Sequence, residues 1–330
     1  MAKASMQAAV LETFGGDFRV TTVARPSPRP GQVLVRIAAS AVNPLDLKIR
    51  AGEAGHARHS LPAILGIDMA GTVVETGAGV TEFRRGDEVY GMTGGVGGVQ
   101  GSLAGYAAVD ASLLALKPAT LSMRETASLP LAFITAWEGL VDRAGIKNGQ
   151  TVLIQGGAGG VGHIAIQIAL SSGARAYATG SARDQALIER LGAVWIERDS
   201  SVEAYVLRHT DGHGFDIVYD TVGGAVLDAS FSAVRRFGHV VSALGWGTHA
   251  LAPLSFRAAT YSGVFTLLPL LTGEGRAQHG EILREATRLA EAGQLVPKLD
   301  PRRFTLETIG EAYAALAGRS TDGKLVVDIA

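Results

Sequence analysis

Short apolar runs alternate with segments of helical periodicity along the middle of the chain. The first run begins at Thr151 and leads through a glycine-rich turn into an apolar helical stretch that reaches Leu170. Five further apolar runs follow, at residues 174–179, 194–196, 215–219, 239–244 and 263–268. Strands that alternate with helices predict a parallel, doubly wound sheet, which binds its ligand at the carboxyl ends of the strands where the strand order reverses.

The flanking regions have a different pattern. Residues 6–118 contain short alternating runs interrupted by Gly and Pro, which predicts a partly closed β domain. Helices are predicted from Glu281 to Gly293 and around 306–317, and the last run, KLVVDIA, is predicted to be a strand that returns to the first domain.

We therefore predict an α/β protein in which a cofactor domain, 121–264, is inserted into a catalytic domain formed by 1–120 and 265–330.

Gly157, Gly159 and Gly162 fit the pattern GxGxxG, and Gly160 and Val161 complete the predicted loop. In dinucleotide-binding proteins the first glycine allows a tight turn, the second lets the backbone approach a pyrophosphate and the third permits close helix packing. Backbone N–H groups and the positive end of the helix then face the phosphates. The strand before the loop and the helix after it favour this interpretation over a glycine-rich turn in a chain with 43 glycines.

The end of the second strand indicates which dinucleotide is bound. An NAD site usually has an Asp or Glu about 20 residues beyond the glycine loop, whereas this chain has TGSAR at 179–183. The hydroxyl of Ser181 and the guanidinium groups of Arg183 and Arg198 are candidates for binding a 2′-phosphate, which predicts NADP(H). The alternative is that both arginines are ordinary solvated residues, and Asp184 lies close by in the sequence.

Composition limits the remaining possibilities. The 330 residues are 47% hydrophobic, which is enough for two cored domains, and the net charge is −1 with no basic run, so a nucleic-acid surface is not indicated. No apolar stretch reaches the roughly 20 residues that span a bilayer, and the first ten residues lack a long apolar signal core, so we expect a cytoplasmic location. The absence of cysteine excludes disulfides and thiolate metal sites.

Several motifs occur in an order that resembles the medium-chain dehydrogenase/reductase superfamily, in its zinc-lacking quinone and enone reductase branch. They are NPLDLKIRAG from Asn43, GIDMAGTVVETGAGV from Gly66, GDEVYGM from Gly86, LPLAFITAWEGL from Leu129, GGAGGVGHIAIQIA from Gly156 and GKLVVDI from Gly323. The resemblance covers nearly the whole chain. It implies a GroES-like β domain, a Rossmann domain, an active-site cleft between them, NADPH as cofactor and a homodimer, with 261–271 as a possible edge-strand contact.

Departures from the zinc alcohol dehydrogenases are informative. Where those enzymes have a zinc-ligating cysteine and histidine, this chain has Asn43, Asp46 and Asp68, and the glycine-rich TGGVGGVQGS replaces the structural zinc lobe. His56 and His59 have a spacing that suits a metal, but no third ligand is evident, so no metal site is predicted.

Without a metal, a substrate carbonyl must be polarised by hydrogen-bond donors or by a cation. By resemblance, Asn43 and Lys48 lie at the nicotinamide end of the cleft and bind substrate oxygen or cofactor ribose, while Asp46 orients neighbouring groups or pairs with Lys48. An exposed lysine at the edge of a helix or strand is the competing interpretation of Lys48.

Further cofactor contacts are predicted from the same resemblance, at Thr135, Thr221, Ala243, Leu244, Gly245 and Lys324. Thr135 is expected to bond the carboxamide, although a helix threonine can also bond its own backbone. Trp246, Tyr261 and Phe265 are candidates for an apolar wall beside a flat substrate, or for ordinary packing.

The predicted reaction is hydride transfer from NADPH to a quinone or to the β-carbon of an α,β-unsaturated carbonyl, giving an enolate held by Lys48 or Asn43. Two alternatives remain open, an alcohol or carbonyl dehydrogenase and a non-catalytic NADPH-binding protein.

Overall fold

The computed structural model describes residues 4–329 and divides them into two compact units. The first unit contains the residues up to Leu131 and those from Leu267 onward, and the second is Ala132–Thr266. The unit boundaries therefore fall at 131/132 and 266/267, compared with the predicted 120/121 and 264/265. No helix within residues 4–329 is long and apolar enough to cross a membrane.

The amino-terminal part of the first unit is mainly antiparallel β structure. Its elements are β1 (Ser5–Leu11), β2 (Phe18–Ala24), β3 (Gln32–Ala41), α1 (Pro44–Ala51), β4 (Ala63–Ile64), β5 (Asp68–Thr76), β6 (Glu88–Met92), β7 (Tyr106–Asp110), β8 (Leu114–Leu116) and α2 (Met123–Ala127). β1 lies between β2 and β4 in a three-stranded sheet, while β3, β5, β6 and β8 form successive antiparallel pairs. Val33, Val35 and Ile37 lie on one face of β3 and are fully buried, and Leu34 on the other face is buried as well, so much of this strand is covered on both faces.

The second unit alternates strands and helices as predicted. Its elements are α3 (Pro130–Trp137, which begins at the unit boundary), β9 (Thr151–Gln155), α4 (Gly162–Ser171), β10 (Arg175–Gly180), α5 (Gln185–Arg190), β11 (Val194–Glu197), α6 (Val202–Thr210), β12 (Phe215–Asp220), α7 (Ala225–Ala233), β13 (Val234–Ser242), α8 (Ala252–Ser255) and β14 (Thr260–Gly263). All neighbouring strands are parallel, in the order β11-β10-β9-β12-β13-β14. This order confirms the doubly wound sheet, and its direction reverses between β9 and β12.

After the second unit the chain returns to the first. The elements are α9 (Leu268–Thr272), α10 (Arg276–Glu291), α11 (Ile309–Ala317) and β15 (Val326–Asp328). β15 pairs antiparallel with β3, so that Val326 faces Ala41, which confirms the predicted returning strand.

Two element predictions were displaced. The sixth strand of the parallel sheet is β14, which ends where the predicted run at 263–268 begins. Val264 and Leu267 of that run are buried, but the run leads into α9. Pro269 suits the first turn of this helix. α10 begins at Arg276 rather than at Glu281; the residues 276–280 lack the apolar periodicity on which the prediction rested, although His279 and Gly280 are buried. Apolar content alone does not distinguish a strand from a buried helix entrance.

Candidate cofactor and active site

The glycine loop joins β9 to α4, as predicted, but the tight turn is made by a different glycine. Gly156 has φ +77°, in the left-handed region that favours glycine, whereas Gly157 has no positive φ. Gly157 is required for another reason, since a Cβ atom there would lie 2.5 Å from the Cβ atom of Ala178 on β10. The prediction that Gly157 makes the turn was therefore wrong by one residue.

The rest of the loop has the geometry that a pyrophosphate needs. A Cβ atom on Gly162 would overlap the carbonyl oxygen of Gly156, so α4 begins close against the loop. Gly159 and Gly160 are exposed, and apart from Gly160 and its two chain neighbours no described residue has a heavy atom within 4 Å of the position of a Cβ atom on Gly160. The backbone at Gly160 and Val161 is therefore open to a ligand at the start of the ten-residue helix α4.

A cavity of about 410 Å³ lies beside this loop, at the carboxyl ends of β9, β10 and β12. Its lining includes Gly159, Ser181, Arg198, Tyr205 and Thr221. Because the order of the sheet reverses between β9 and β12, this is where a doubly wound sheet binds a dinucleotide. The residues present fit such a cofactor.

The part of this cavity near Ser181 contains a carboxylate that the sequence analysis did not assign to the cofactor site. Asp184 lines the cavity, and its Oδ2 atom accepts the Ser181 hydroxyl at 2.6 Å and the Ser181 N–H at 3.0 Å. This is the S-x-x-D arrangement of a helix start, so the hydroxyl of Ser181 is engaged. Arg198 lines the cavity, whereas the Arg183 side chain is 83% exposed and is not part of the lining.

Asp220 organises the segments that follow β12 and β13. Its carboxylate is fully buried and accepts the N–H groups of Val222 and Gly223 and, at 2.7 Å, the hydroxyl of Ser242. The Ala243 N–H donates to the backbone carbonyl of Asp220. The two segments that carry the predicted cofactor contacts Thr221 and Ala243 are thus hydrogen-bonded to each other, which no pattern in the sequence indicated.

Gly245 and the proposed aromatic wall lie at the end of this turn. The hydroxyl of Tyr261 occupies the space that a Cβ atom on Gly245 would need. Burial and the charge of Asp220 raise the pKa of Tyr261, which keeps its hydroxyl protonated at neutral pH. Trp246 and Phe265 make an edge contact with ring centroids 6.3 Å apart.

Thr135 is buried in the second unit. Its hydroxyl oxygen is 3.1 Å from that of Thr266, and the Thr266 hydroxyl donates to Glu138 at 3.2 Å. Thr135 is therefore part of a polar network with Thr266 and Glu138, which no local sequence signal indicated.

Four polar residues of the first unit form a buried cluster around Asn43, which precedes α1. The Asn43 amide nitrogen donates to Asp68 at 3.0 Å, and the ammonium of Lys324 donates to the Asn43 side-chain oxygen. Asp46 accepts the Asn43 backbone N–H at 2.8 Å, and the second oxygen of Asp68 accepts the N–H of Leu131. Asn43, Asp46 and Asp68 are fully buried.

This cluster changes the protonation of its members. Burial raises the pKa of Asp46 to about 7 and that of Asp68 to about 6, against lowering contributions from Asn43 and Lys324. Burial also lowers the pKa of Lys324, although both carboxylates oppose the change. Around neutral pH Asp46 is therefore partly protonated, whereas Asp68 is mainly ionised, which the positive charge of Lys324 favours.

The predicted catalytic residues therefore separate into two groups. Asn43 is buried with both ends of its amide engaged, so binding of substrate oxygen or cofactor ribose by this residue stays a prediction. The ammonium group of Lys324 bonds Asn43, and its predicted contact with the cofactor stays a prediction. Lys48 is exposed on α1, and no ion pair joins it to Asp46, although both lie in the described part of the chain.

No group of three or more His, Asp or Glu residues within 4–329 is arranged to hold a metal ion. His59 is half-buried, neither of its ring nitrogens has a hydrogen-bond partner among residues 4–329, and burial lowers its pKa, so the ring is neutral at physiological pH.

Two families match separate parts of the chain. The alcohol dehydrogenase GroES-like domain matches residues 29–119, and the zinc-binding dehydrogenase family matches residues 191–327. The chain is also 36% identical over 316 residues to the 2-methylene-furan-3-one reductase of Solanum lycopersicum, an alignment that covers 93% of this chain and 74% of that protein. The chain belongs to the medium-chain dehydrogenase/reductase superfamily.

Other comparisons place it in the quinone and enone reductase branch of this superfamily. The NADPH-dependent alkenal/one oxidoreductase of Arabidopsis thaliana is 32% identical over 334 residues, with 98% of this chain and 79% of that protein covered. A solved structure of an alcohol dehydrogenase superfamily protein from Novosphingobium aromaticivorans is 61% identical, with a TM-score of 0.97 and coverage of 98% and 100% of the two chains. These similarities confirm the fold class predicted from the sequence.

Proposed function

We propose that this member of the superfamily is an NADPH-dependent reductase that reduces the C=C bond of α,β-unsaturated carbonyl compounds, and quinones as their vinylogous equivalents, without zinc. The choice of substrate class rests on similarity to two enone reductases over more than nine tenths of the chain. The open glycine loop beside a cavity at the reversal of the sheet supports the cofactor assignment.

The second unit provides the cofactor residues in this proposal. Backbone N–H groups at 159–161 and the start of α4 hold the pyrophosphate, and Arg198 holds the 2′-phosphate beside Ser181. NADPH supplies a hydride when it is bound. Thr135, Thr221 and the segment 243–245 orient the nicotinamide end of the cofactor, and Asp220 keeps the last of these segments in place through Ser242.

The first unit provides the group that stabilises charge on the substrate. In the proposal, the ammonium of Lys48 donates to the carbonyl oxygen as negative charge develops there in the enolate. Asn43, Asp68 and Lys324 act as positioning residues, because their buried hydrogen bonds fix the start of the helix that carries Lys48. Protonation of the α-carbon then completes the reduction.

Kinetics of Lys48→Met test this assignment. We expect kcat/KM to fall by about 10²- to 10³-fold, since removal of one donor to a developing oxyanion typically has an effect of this size. The melting temperature should not change, because Lys48 is exposed. Lys147→Met, which removes another lysine in the loop before β9, is the matched control; equal kcat/KM for wild type and Lys48→Met would remove Lys48 from the mechanism.

Product identification tests the reaction class. NADPH and NADH oxidation are followed with simple enones, alkenals, 1,4-naphthoquinone and saturated aldehydes, and the products are identified by mass. Saturated ketones or aldehydes from the unsaturated substrates support the proposal. Alcohols from saturated aldehydes would instead make the protein a carbonyl dehydrogenase, and NADPH binding without turnover would make it a binding protein.

We also propose that the protein is a homodimer that joins at β14. This strand is at the edge of the parallel sheet, and Tyr261 on it is 38% exposed. Light scattering at micromolar concentration tests the dimer, with Thr260→Lys as the variant expected to give a monomer; a monomeric wild type would contradict it. A cytoplasmic location also remains a proposal, which cell fractionation tests.

A further inference from the structure

The second unit has another cavity, which lies at the amino-terminal ends of strands of the parallel sheet. It has a volume of about 290 Å³, and its lining includes Gly214, which precedes β12, and Val234, the first residue of β13. The cavity beside the glycine loop lies instead at the carboxyl ends of the strands. A ligand in this second cavity would therefore leave the cofactor residues accessible.

The second cavity is cationic. Arg236, Arg257 and His213 line it, and none of the described residues in its lining is Asp or Glu. The Arg257 guanidinium is held in place because it donates to the carbonyl oxygens of Pro253 and Ser232, each at 3.0 Å. No carboxylate of the described lining balances these two guanidinium groups, so an oxyanion in the cavity would gain charge-assisted hydrogen bonds from them.

One acidic residue close by in the sequence does not provide this countercharge. Asp216, on β12, accepts the Arg235 guanidinium at 2.6 Å and both the N–H and the hydroxyl of Thr151. Arg235 is thus paired, whereas its neighbour Arg236 is exposed and faces the cavity. A second acidic residue, Asp211, precedes the lining residue Gly212 but is exposed at the end of α6 and is not part of the lining.

Each of the two arginines has an exposed phenylalanine next to it in the sequence. Phe256 lines the cavity although it is 84% exposed. Phe237 follows Arg236, is 76% exposed and has φ +60°, a conformation that L-residues other than glycine rarely adopt. Its N–H donates to the Arg257 carbonyl at 2.8 Å. Because both phenyl rings are exposed, packing in the core does not account for a phenylalanine at either position. Backbone strain of the kind found at Phe237 is concentrated at functional sites.

We propose that this cavity binds a small aromatic oxyanion, a carboxylate or phosphate carried on a planar ring. The oxyanion pairs with Arg236 and Arg257, and the ring packs on Phe256. A volume of about 290 Å³ is at the lower end of ligand pockets, so the site takes a compact molecule rather than a dinucleotide. This inference does not depend on the proposed reductase activity.

Isothermal titration with benzoate, phenyl phosphate and inorganic phosphate tests the site, at constant ionic strength and with saturating NADP⁺ to occupy the glycine loop. We expect saturable binding of benzoate or phenyl phosphate that Arg236→Gln weakens at least about tenfold. Arg208→Gln removes an exposed charge from the adjacent α6 outside the lining and should bind as wild type does. Binding of benzoate alone identifies a carboxylate ligand, and binding of phenyl phosphate alone identifies a phosphate.

Phe256→Ala tests the aromatic part of the proposal. Its melting temperature should equal that of wild type because the ring is exposed, while its affinity for the aromatic ligand should fall severalfold. The proposal is overturned if neither aromatic anion binds, if Arg236→Gln binds as tightly as wild type, or if inorganic phosphate binds as tightly as phenyl phosphate.

Discussion

Tyr261 places its hydroxyl oxygen in the space that a Cβ atom on Gly245 would need. The next ring atom, Cζ, is 3.5 Å from the same position, which is an ordinary contact distance. Glycine is therefore required at position 245 because of one oxygen atom on a neighbouring strand. Since Gly245 is the last residue of the segment 243–245 that we assign to the cofactor, this contact links the edge strand β14 to the proposed cofactor site.

This relationship predicts a rescue. Gly245→Ala should weaken NADPH binding and lower stability by about 1 to 3 kcal/mol, the usual cost of overpacking. Adding Tyr261→Phe removes the obstructing oxygen and should restore most of both quantities. NADPH titration by fluorescence and thermal unfolding measure the effect, with Tyr261→Phe alone as the control; a double variant as impaired as Gly245→Ala would show that the hydroxyl is not the obstacle.

The buried cluster in the first unit predicts a specific pH dependence of stability. Because the folded-state pKa of Asp46 is raised from 3.8 to about 7, the folded protein binds more protons than the unfolded chain between about pH 4 and pH 7. Stability therefore falls as pH rises through this window and changes little above it on account of this group. Asp68, with a pKa raised to about 6, contributes a dependence of the same sign.

Asp46→Asn imitates the protonated carboxyl and keeps an oxygen for the Asn43 N–H. Unfolding in urea at a series of pH values should show a flatter dependence and a gain on the order of 4 kcal/mol at pH 8, since the pKa is raised by about three units and each unit corresponds to about 1.4 kcal/mol. Asp17→Asn, at a fully exposed carboxylate, is the control. Parallel curves for wild type and Asp46→Asn would show that Asp46 is ionised in the folded protein.

Local patterns identified most elements of the second unit but not the contacts that position its site. The alternation of apolar runs is sufficient to predict β9 to β12, because each strand is short, apolar and bounded by turn residues. With glycine at both 156 and 157, sequence cannot tell which one adopts positive φ. The bond between Ser181 and Asp184, in contrast, has a sequence signal in its S-x-x-D spacing.

Contacts between distant positions are the part that the sequence cannot provide. Lys324 bonds Asn43 across 281 positions, and Asn43 bonds Asp68 across 25. The resemblance brought Asn43 and Lys324 to attention as candidate site residues, but whether their polar groups face a ligand or one another depends on how β15 pairs with β3. The exposed position of Lys48 follows from its place on α1, two residues beyond the buried Asp46.

Asp184 predicts how far the protein discriminates between NADPH and NADH. Its carboxylate lies in the cavity beside Ser181, where it would repel a 2′-phosphate. Asp184→Asn keeps an oxygen acceptor for Ser181 and removes the charge, so the ratio of kcat/KM for NADPH to that for NADH should rise about tenfold, or ~1.4 kcal/mol. Asp211→Asn, at an exposed carboxylate outside the lining and away from Arg198 in the sequence, should leave the ratio unchanged. An unchanged ratio in Asp184→Asn would place the 2′-phosphate away from this carboxylate.

Phe237 should be a position where glycine stabilises the protein. The left-handed conformation costs a residue with a Cβ atom roughly 1 to 2 kcal/mol, and an exposed ring recovers little of this by burial. Phe237→Gly relieves that strain but also frees the unfolded backbone, so the expected net gain is about 0.5 to 1 kcal/mol, or ~2 °C in melting temperature.

Phe256→Gly is the matched control for this prediction. Phe256 is also exposed but has φ −65°, which any residue adopts, so glycine at this position should destabilise the protein slightly. Thermal unfolding of the two variants and wild type measures the difference. If both substitutions lower the melting temperature by the same amount, the conformation of Phe237 carries no strain and does not mark a functional site. If Phe237→Gly raises the melting temperature and Phe256→Gly lowers it, the protein retains an exposed phenylalanine at position 237 against the preference of its backbone.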